Sequence, residues 1–400
     1  MVPNGWTKIK LGSHFEFRNG VNADKDQYGE GVKFVNVMDV FNNDILTESK
    51  IIGRITLSDK QFKDNILHYG DILFNRTSET FDEIAMSAVY LDETDATFGG
   101  FVIRGRPTTN ILDPMFTVYS FQDSDFRRQV IRLGQGAIRA NIGQKDLSKV
   151  TLLVPPLPEQ QKIAKILTTW DKAIDTTERL IDNSKQQKKA LMQQLLTGKK
   201  RLLDDNGKRF EGEWDWLRAS EIFKPVSKKN NSADEELLSV TQDRGVLPRS
   251  ILERRVVMPE GSTKGYKLVE KGNFIISLRS FQGGLEYSYY RGLVSPAYTV
   301  LEPILEINDE FYKHYYKSYD FIGHLAVAVI GIRDGKQISY TDFSFLKLPY
   351  PPLKEQQKIA AVLTNADKEI ELLEQQLADL QQEKKALMQV LLTGKVRVKV

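Results

Sequence analysis

The sequence contains no cysteine and only four histidines among its 400 residues. Without thiols the chain forms no disulfide bond and offers no thiolate to a metal ion, and four scattered histidines do not favour a zinc site. Long apolar runs are missing too, since the longest, LAVAVIGI at 325–332, is far shorter than the ~20 residues of a membrane span. The N-terminal segment lacks the apolar region of a signal peptide, so we expect a cytoplasmic protein.

An excess of charge of one sign is also absent. Lys and Arg together number 56 and Asp and Glu 53, which gives a formal net charge of +3. In residues 1–154, 18 basic side chains stand against 20 acidic ones. A nucleic-acid-binding function therefore has to rest on local basic clusters, or on phosphate contacts that partner proteins make.

The short motifs of several enzyme classes are missing from the sequence. There is no GxxxxGK(S/T) phosphate-binding loop and no HExxH zinc motif. An adenine methyltransferase needs a glycine-rich methyl-donor loop and an (N/D)PP(Y/F) motif, but the glycines at 29–31 and 98–101 lack the helical pattern that should follow. We therefore expect no catalysis by the isolated chain.

One segment of the chain is present twice. Residues 155–202 and 351–398 align without a gap at an offset of 196, with about 28 of 48 positions identical. Both copies begin with PPLxEQQKIA and end with KKALMQ(Q/V)LLTGK. Each copy follows a segment of roughly 150 residues, a length typical of one domain. The chain is thus predicted to be a globular domain plus a helix, repeated once.

Each copy is predicted to form one long helix. Pro158 lies where a first-turn proline is tolerated, Glu159 places negative charge at the positive end of the helix dipole, and Gly198 and Gly394 are candidate left-handed caps. The expected helix has about 38 residues and a length of ~57 Å.

An apolar stripe with alternating spacings of four and three runs along the second copy, which is typical of a coiled coil. Its positions are Ile359, Leu363, Ala366, Ile370, Leu373, Leu377, Leu380, Leu387 and Leu391, with Lys384 as the only interruption. The first copy keeps this register but places Thr177, Ser184 and Lys188 on the stripe. We expect the two helices to pair antiparallel and to bury both stripes.

The segments before the helices have the alternating β-branched and aromatic pattern of strands, as in VKFVNVMDV at 32–40, GDILFNRTS at 70–78 and GNFIISLRS at 272–280. The predicted fold class is α+β: two mixed α/β domains, separated by two long helices that pair as an antiparallel coiled coil, with a pseudo-twofold internal repeat. The predicted divisions are residues 1–154, 155–200, 201–350 and 351–400.

The two helix motifs, placed after two divergent α/β domains, resemble the central and distal conserved regions of type I restriction-modification specificity subunits. The resemblance covers the whole chain and is strongest in the repeated helices. It implies two target recognition domains, each of which reads one half of a bipartite, asymmetric DNA target in the major groove, and helices that set the half-site spacing.

The resemblance also implies partners and cofactors. The expected partners are double-stranded DNA, two methyltransferase subunits and two restriction/translocase subunits. S-adenosylmethionine would bind to the methyltransferase subunits, and ATP and Mg to the restriction subunits. This chain itself would bind no cofactor and no metal.

Sequence readout requires side chains that present paired donors or acceptors to base edges, chiefly Arg, Asn and Gln. Such residues cluster where the predicted strands end, although for any single arginine a surface ion pair is the alternative. Arg106, Arg127 and Arg128 are candidates for phosphate contacts, as is Arg104. The full set predicted to bind DNA is Asn75, Arg76, Thr77, Ser78, Arg104, Arg139, Asn141, Arg244, Ser277, Arg279, Ser280, Gln282, Arg333, Lys336 and Gln337.

Polar residues at the start of the two helices recur in both copies, which favours partner contact over mere solvation. The residues predicted to bind partner subunits are Glu159, Gln160, Gln161, Lys162, Glu355, Gln356, Gln357 and Lys358. Phe311, Tyr315 and Tyr319 have helical spacing, so we expect them to form a packed face rather than to stack on bases.

Two alternative functions stay open at this point. One is the specificity protein of a related system, in which a single fused chain carries the methyltransferase and the nuclease. The other is a coiled-coil scaffold that binds proteins and has no DNA specificity. The two strand-rich domains argue against a scaffold, which would not need them.

Overall fold

The chain divides into two compact units in the computed structural model. Unit 1 is Met1–Thr177 with Gln376–Val400, and unit 2 is Glu178–Gln375. The boundary crosses both long helices, so each unit combines one globular domain with part of each helix. The structure describes residues 2–136, 139–228, 235–242, 244–252, 263, 265–328 and 338–399.

Unit 1 is built around mixed β-sheets. Its strands are β1 (Thr7–Lys10), β2 (Phe15–Asn19), β3 (Tyr28–Val35), β4 (Ile45–Leu46), β5 (Arg54–Ile55), β6 (Ile72–Asn75), β7 (Thr77–Ser78), β8 (Ser87–Tyr90), β9 (Ala96–Phe98), β10 (Val102–Pro107), β11 (Ala140–Asn141) and β12 (Thr151–Val154). Its helices are α1 (Val37–Asn42), α2 (Asp59–Asn65), α3 (Pro114–Ser120), α4 (Ser124–Leu133), α5 (Gln144–Leu147) and the first part of α6 (Leu157–Leu195).

The main sheet of unit 1 has five strands in the order β2-β10-β6-β8-β4. Smaller sheets pair β1 with β12, β11 with β7, and β3 with both β5 and β9. The buried side of β6 packs on aromatic residues of the helical layer, with ring centroids of Phe74 and Phe121 at 5.2 Å and of Phe121 and Phe126 at 5.0 Å. The structure confirms the predicted GDILF strand. Its apolar run is continuous because both faces are buried, with Ile72 and Phe74 in one apolar cluster and Leu73 in another.

The segment VKFVNVMDV is a strand only as far as Val35, and the prediction of a strand over its second half is wrong. Helix α1 begins at Val37 because Asn36 starts a capping box: the Asn36 backbone N–H donates to Asp39 Oδ2 at 2.7 Å. Local hydrogen bonds at a polar residue thus override the β-branched pattern.

Unit 2 repeats the plan of unit 1. Its strands are β13 (Asp215–Arg218), β14 (Phe223–Val226), β15 (Leu238–Thr241), β16 (Gly245–Pro248), β17 (Lys267–Val269), β18 (Phe274–Ile276), β19 (Glu286–Tyr287), β20 (Gly292–Val294), β21 (Thr299–Pro303) and β22 (Lys347–Tyr350). Its helices are α7 (Ala219–Ile222), α8 (Ser280–Gly283), α9 (Asp309–Tyr316), α10 (Tyr319–Ala328), α11 (Tyr340–Ser344) and α12 (Leu353–Leu391), which ends in unit 1.

The sheet order shows the duplication directly. Unit 2 has a sheet β14-β21-β18-β19, which matches β2-β10-β6-β8 of unit 1 strand for strand. The pair β13 and β22 likewise matches β1 and β12. The two domains are therefore copies of one architecture, although their sequences are only faintly related.

Aromatic residues fill the core of unit 2. Phe311 and Tyr315 of α9 are fully buried, which confirms the predicted packed face, and Phe223 meets Phe274 edge to face with centroids 5.5 Å apart. The prediction is wrong for Tyr319, which is 80% exposed at the start of α10.

The helices α6 and α12 have 39 residues each, close to the predicted length. Gly198 and Gly394 follow their ends with φ of 71° and 67°, so both predicted left-handed caps are confirmed. In unit 1, Ile163 near the start of α6 shares a core with Leu391 at the end of α12. In unit 2, Leu195 at the end of α6 shares a core with Ile359 at the start of α12. The helices therefore pair antiparallel within each unit.

The lysines that interrupt the apolar stripes form reciprocal ion pairs. In unit 1, Lys384 of α12 pairs with Asp171 of α6, and in unit 2, Lys188 of α6 pairs with Asp367 of α12. Because each pair joins the two helices, a shift of one helix along the other would separate the charges. The two lysines thus set the helix register.

Each ion pair lies beside one polar ring from the globular domain. In unit 1, the Tyr119 hydroxyl donates to Asp171 Oδ2 at 2.5 Å. At the matching place in unit 2, His314 Nε2 lies 3.2 Å from Thr364 Oγ1 and Nδ1 lies 3.8 Å from Asp367 Oδ2. Burial lowers the pKa of His314 to about 4, so the imidazole is neutral at pH 7.

Reversing one of these charges is expected to weaken the helix pair. Lys384→Glu places a carboxylate against Asp171 and should lower the free energy of unfolding by about 1–2 kcal/mol, since the Asp171 side chain is 38% exposed and partly screened. The double variant with Asp171→Lys should recover most of that loss. Chemical denaturation of the full chain measures the free energy of unfolding of each variant. If the double variant loses as much as the two single variants together, the assigned ion pair is contradicted.

Candidate nucleic-acid interface

In unit 1, four of the predicted DNA-binding residues come together where β7 pairs with β11. Thr77 opposes Asn141 in this pair, and its hydroxyl donates to Asn141 Oδ1 at 2.8 Å. Asn141 in turn donates to the Arg139 carbonyl oxygen at 3.0 Å. Arg76 and Arg139 are exposed and form no ion pair with any residue that the structure describes. This surface therefore offers two free guanidinium groups on a fixed backbone.

Three other predictions in this domain are wrong, because the side chains are buried and used by the fold. Asn75 donates to the Glu83 carbonyl oxygen at 2.9 Å, and Ser78 donates to the Glu83 carboxylate at 3.1 Å. Arg104 is 2% exposed and donates to the Ile66 carbonyl oxygen at 2.9 Å. Burial also lowers the pKa of the Arg104 guanidinium. These groups hold the loops in place, and each residue is at most 6% exposed.

The arginines predicted to contact phosphates are also engaged within unit 1. Arg106 forms a two-point ion pair with buried Asp71, with Nε 2.9 Å and Nη2 2.6 Å from its carboxylate oxygens. Arg127 donates to the carbonyl oxygens of Ala85 and Asp82. Only Arg128 is largely exposed, with an ion pair to Asp125 on the same helix turn. A phosphate role is left for Arg128 alone.

In unit 2, the exposed candidates lie on two neighbouring loops. Arg244 follows β15, and Arg279 and Gln282 follow β18, and all three are exposed. Gln242 connects the loops, because its side-chain amide donates to the Arg279 carbonyl oxygen at 3.2 Å. Lys317 donates to the Gln242 carbonyl oxygen at 3.3 Å. Neither Gln242 nor Lys317 stood out in the sequence, since their positioning roles depend on long-range contacts.

The remaining predictions in unit 2 divide into two groups. Ser277 and Ser280 are buried, and Ser280 Oγ accepts from the Ser277 backbone N–H at 2.9 Å, so they shape the strand exit and their assignment to DNA contact is wrong. Arg333, Lys336 and Gln337 lie outside the described residues.

The glutamates predicted to bind partner subunits are instead buried inside the two units. Glu355 of unit 2 is fully buried and accepts from Arg201 Nε and Nη2, both at 2.6 Å, and from Trp214 Nε1 at 3.0 Å. Glu159 of unit 1 accepts from Arg397 and from Trp6 in the same arrangement. The guanidinium of Arg397 lowers the pKa of Glu159.

The glutamines that follow them are buried as well. Gln160 accepts from the Asp113 backbone N–H at 2.8 Å, and Gln356 accepts from the Asn308 backbone N–H at 2.9 Å. Partner contact is therefore wrong for Glu159, Gln160, Glu355 and Gln356, whose hydrogen bonds are satisfied within the chain. The residues that remain candidates are exposed Gln161, Lys162 and Gln357, and half-exposed Lys358, which pairs with Asp205.

Sequence reasoning missed an apolar feature beside the unit 1 arginines. Phe101 is 65% exposed and Met38 is 56% exposed, and both line one open cavity together with Arg139. The sequence feature that could have indicated an exposed Phe101 is the pair Gly99-Gly100 directly before it. These glycines were interpreted only as a candidate methyl-donor loop.

Two classes of site find no support in the part of the chain that the structure describes. No cluster of three or more His, Asp or Glu side chains is arranged to hold a metal ion there. None of the described helices combines the length and the apolar composition that crossing a bilayer requires.

The comparison with protein families decides what this architecture is. The model of the type I restriction modification DNA specificity domain matches the chain twice, over residues 3–185 and 199–382. The chain belongs to this family. The two matches coincide with the two copies of the repeat. Each match covers one globular domain and most of the long helix that comes after it.

Known specificity subunits resemble the chain along its whole length. The putative type I restriction enzyme MjaX specificity subunit of Methanocaldococcus jannaschii is 27% identical over 430 residues, covering 100% of this chain and 95% of that protein. The crystal structure of the type I restriction-modification S subunit from M. genitalium covers 98% of this chain and 97% of its own, with 16% identity and a TM-score of 0.56. The HsdS subunit from Thermoanaerobacter tengcongensis has 16% identity and a TM-score of 0.53, and 99% and 98% of the two chains are covered. These structures support the specificity-subunit fold assigned above.

Proposed function

We propose that this chain selects the DNA target of a type I restriction-modification complex. The globular domain of each unit reads one half of a bipartite target, and α6 and α12 fix the distance between the halves. The domains differ in the exposed groups they present, so the two half-sites differ and the target is asymmetric. The chain performs no catalysis.

The observation that carries this proposal is the duplication of one architecture with unlike exposed loops. The strand orders of the two domains match, whereas the loop after the shared strand carries Arg76 and Thr77 in unit 1 and Leu278 and Arg279 in unit 2. A guanidinium can donate two hydrogen bonds to a guanine edge. Two domains with the same architecture but different exposed side chains are expected to recognise two different DNA sequences.

The proposal includes partners that supply the chemistry. Two methyltransferase subunits, which bind S-adenosylmethionine, dock on exposed helix faces near Gln161, Lys162 and Gln357. Two restriction/translocase subunits, which use ATP and Mg, complete the complex in the cytoplasm. The near-neutral charge of this chain supports such a division, because much of the phosphate contact then comes from the partners.

A binding experiment separates this function from that of a coiled-coil scaffold. The complex of this chain with a methyltransferase subunit that assembles with it is titrated against its target duplex and a scrambled duplex, at several salt concentrations. We expect preference for the target by at least ~10³-fold and a steep loss of affinity with salt. Equal, weak affinity for both duplexes contradicts the proposal and favours the scaffold.

Lengthening both helices is expected to change the half-site spacing. Four residues inserted after Thr177 in α6 and after Gln375 in α12 add about one turn, or ~6 Å, to each helix and keep the register within each unit. The preferred gap should grow by about one or two base pairs at ~3.4 Å per base pair. Methylation of duplexes with graded gaps measures the preference, and an unchanged gap excludes a spacing role for the helices.

A further inference from the structure

Two large, exposed apolar side chains line one open cavity of unit 1. These are Met38 of α1 and Phe101 of the turn between β9 and β10, and the cavity has a volume of about 640 Å³. Thr77, Glu79 and Arg139 also line this cavity. Single exposed apolar residues are common on proteins, whereas apolar side chains that line a cavity together with a few polar groups are typical of a ligand-binding site.

The turn that presents Phe101 is held on two sides by backbone hydrogen bonds. The Gly100 N–H donates to the Val21 carbonyl oxygen at 2.9 Å, and the Phe101 carbonyl oxygen accepts from the Arg76 N–H at 2.8 Å. A Cβ on Gly20, which lies against this turn, would come within 2.3 Å of backbone carbonyl oxygens. The exposed ring thus stands on a fixed backbone, so a ligand that covers it has little backbone to order.

The groups around the ring match the edge of a base pair in the major groove. Thymine is the base that presents an apolar group there, its C5-methyl. Arg76 and Arg139 can donate to guanine or to a phosphate beside it, and exposed Glu79 can accept from the amino group of cytosine. The surface around Phe101 therefore combines charged groups, hydrogen-bonding groups and exposed apolar side chains.

We propose that Phe101 and Met38 recognise the C5-methyl group of a thymine in the half-site that unit 1 reads. This inference rests on the proposed function and adds to it one base and two specificity-determining residues. Contact with the methyl group removes both side chains and the methyl from water, and it discriminates thymine from cytosine and from uracil, which lack that group.

The test uses the complex with its methyltransferase partner and target duplexes in which each thymine is replaced in turn by deoxyuridine. One replacement, in one half-site, should weaken binding by about four-fold, the effect of one methyl group removed from an apolar contact. The double variant Phe101→Ser with Met38→Ser should bind the duplex with thymine at that position and the duplex with deoxyuridine there with equal affinity. Ile52→Ser, at an 87% exposed apolar residue outside the cavity lining, is the matched control and should keep the difference.

Each outcome supports or overturns a distinct statement. If the wild-type complex prefers its target but no deoxyuridine weakens binding, thymine recognition is excluded and the proposed function stands. A deoxyuridine effect that persists in the double variant excludes Phe101 and Met38 as its source. If the wild-type complex shows no target preference at all, the proposed function fails, and this inference fails with it. Phe101→Leu should retain part of the discrimination.

Discussion

Glu355→Ala is expected to lower the free energy of unfolding of unit 2 by about 3–5 kcal/mol. Glu355 is fully buried and accepts three hydrogen bonds, two from Arg201 and one from Trp214. Its removal leaves a buried indole N–H and a largely buried guanidinium without their acceptor, and the loss of such an acceptor costs more than the pair contributes when intact. Chemical denaturation of the full chain, followed by tryptophan fluorescence, measures the change.

The matching variant in unit 1 is the control for this argument. Glu159→Ala should cost less, because the Arg397 side chain is 41% exposed and water can replace the lost carboxylate, whereas Arg201 is only 17% exposed. Glu355→Gln, which keeps an acceptor for one donor, should lie between Glu355→Ala and the wild type. A Glu355→Ala protein as stable as wild type contradicts the structural role of the carboxylate.

Arg76→Ala is expected to reduce the affinity of the complex for its target by about 10- to 100-fold, the usual effect of losing a bidentate arginine–guanine contact. The base preference should relax at one position of one half-site and stay unchanged in the other. Arg76 is exposed and has no ion-pair partner among the described residues, so its removal should leave the stability of unit 1 unchanged. Competition binding against all four bases at each position measures both effects.

Arg128→Ala is the matched control, because Arg128 is an exposed arginine of the same unit that forms an ion pair with Asp125. Because a phosphate contact reads no base, its loss should lower affinity by the same factor for every sequence. If Arg76→Ala instead weakens target and scrambled duplexes alike, Arg76 contacts phosphate and does not read a base.

The long helices could be predicted closely from the sequence because their determinants are local. Apolar spacing and terminal glycines are read within one segment in both copies, and the first copy adds a first-turn proline. Even the interruption at Lys384 was visible. The reason for a lysine at this position could not be predicted, since its ion-pair partner Asp171 lies on the other helix, far away along the chain.

The glutamates repeated at the two helix starts were wrongly predicted to bind partner subunits. Glu159 and Glu355 recur in both copies because each closes the same internal contact, with a tryptophan from the start of a domain and an arginine that follows the other helix. Identity between internal copies therefore indicates a shared role in the fold as readily as a docking surface. Only burial distinguishes the two, and burial depends on tertiary contacts.

The loops predicted to bind DNA are exposed in the structure, but only some of the side chains predicted on them are. Arg76 and Arg139 are exposed, whereas Arg104, which has the same residue type, is buried and donates to the Ile66 carbonyl oxygen. Residue type alone does not distinguish a reading arginine from a structural one. Phe101 was not among the predicted residues, because the prediction considered hydrogen-bonding groups and not the apolar contact through which we propose that it recognises thymine.

The most direct test of the proposed function is a methylome. This chain and a methyltransferase subunit that assembles with it are expressed in a host without DNA modification, and methylated adenines are mapped by single-molecule sequencing. The account predicts one two-part, asymmetric motif with a fixed gap, which disappears when this chain is omitted. Methylation without a two-part motif, or a motif that persists without this chain, contradicts it.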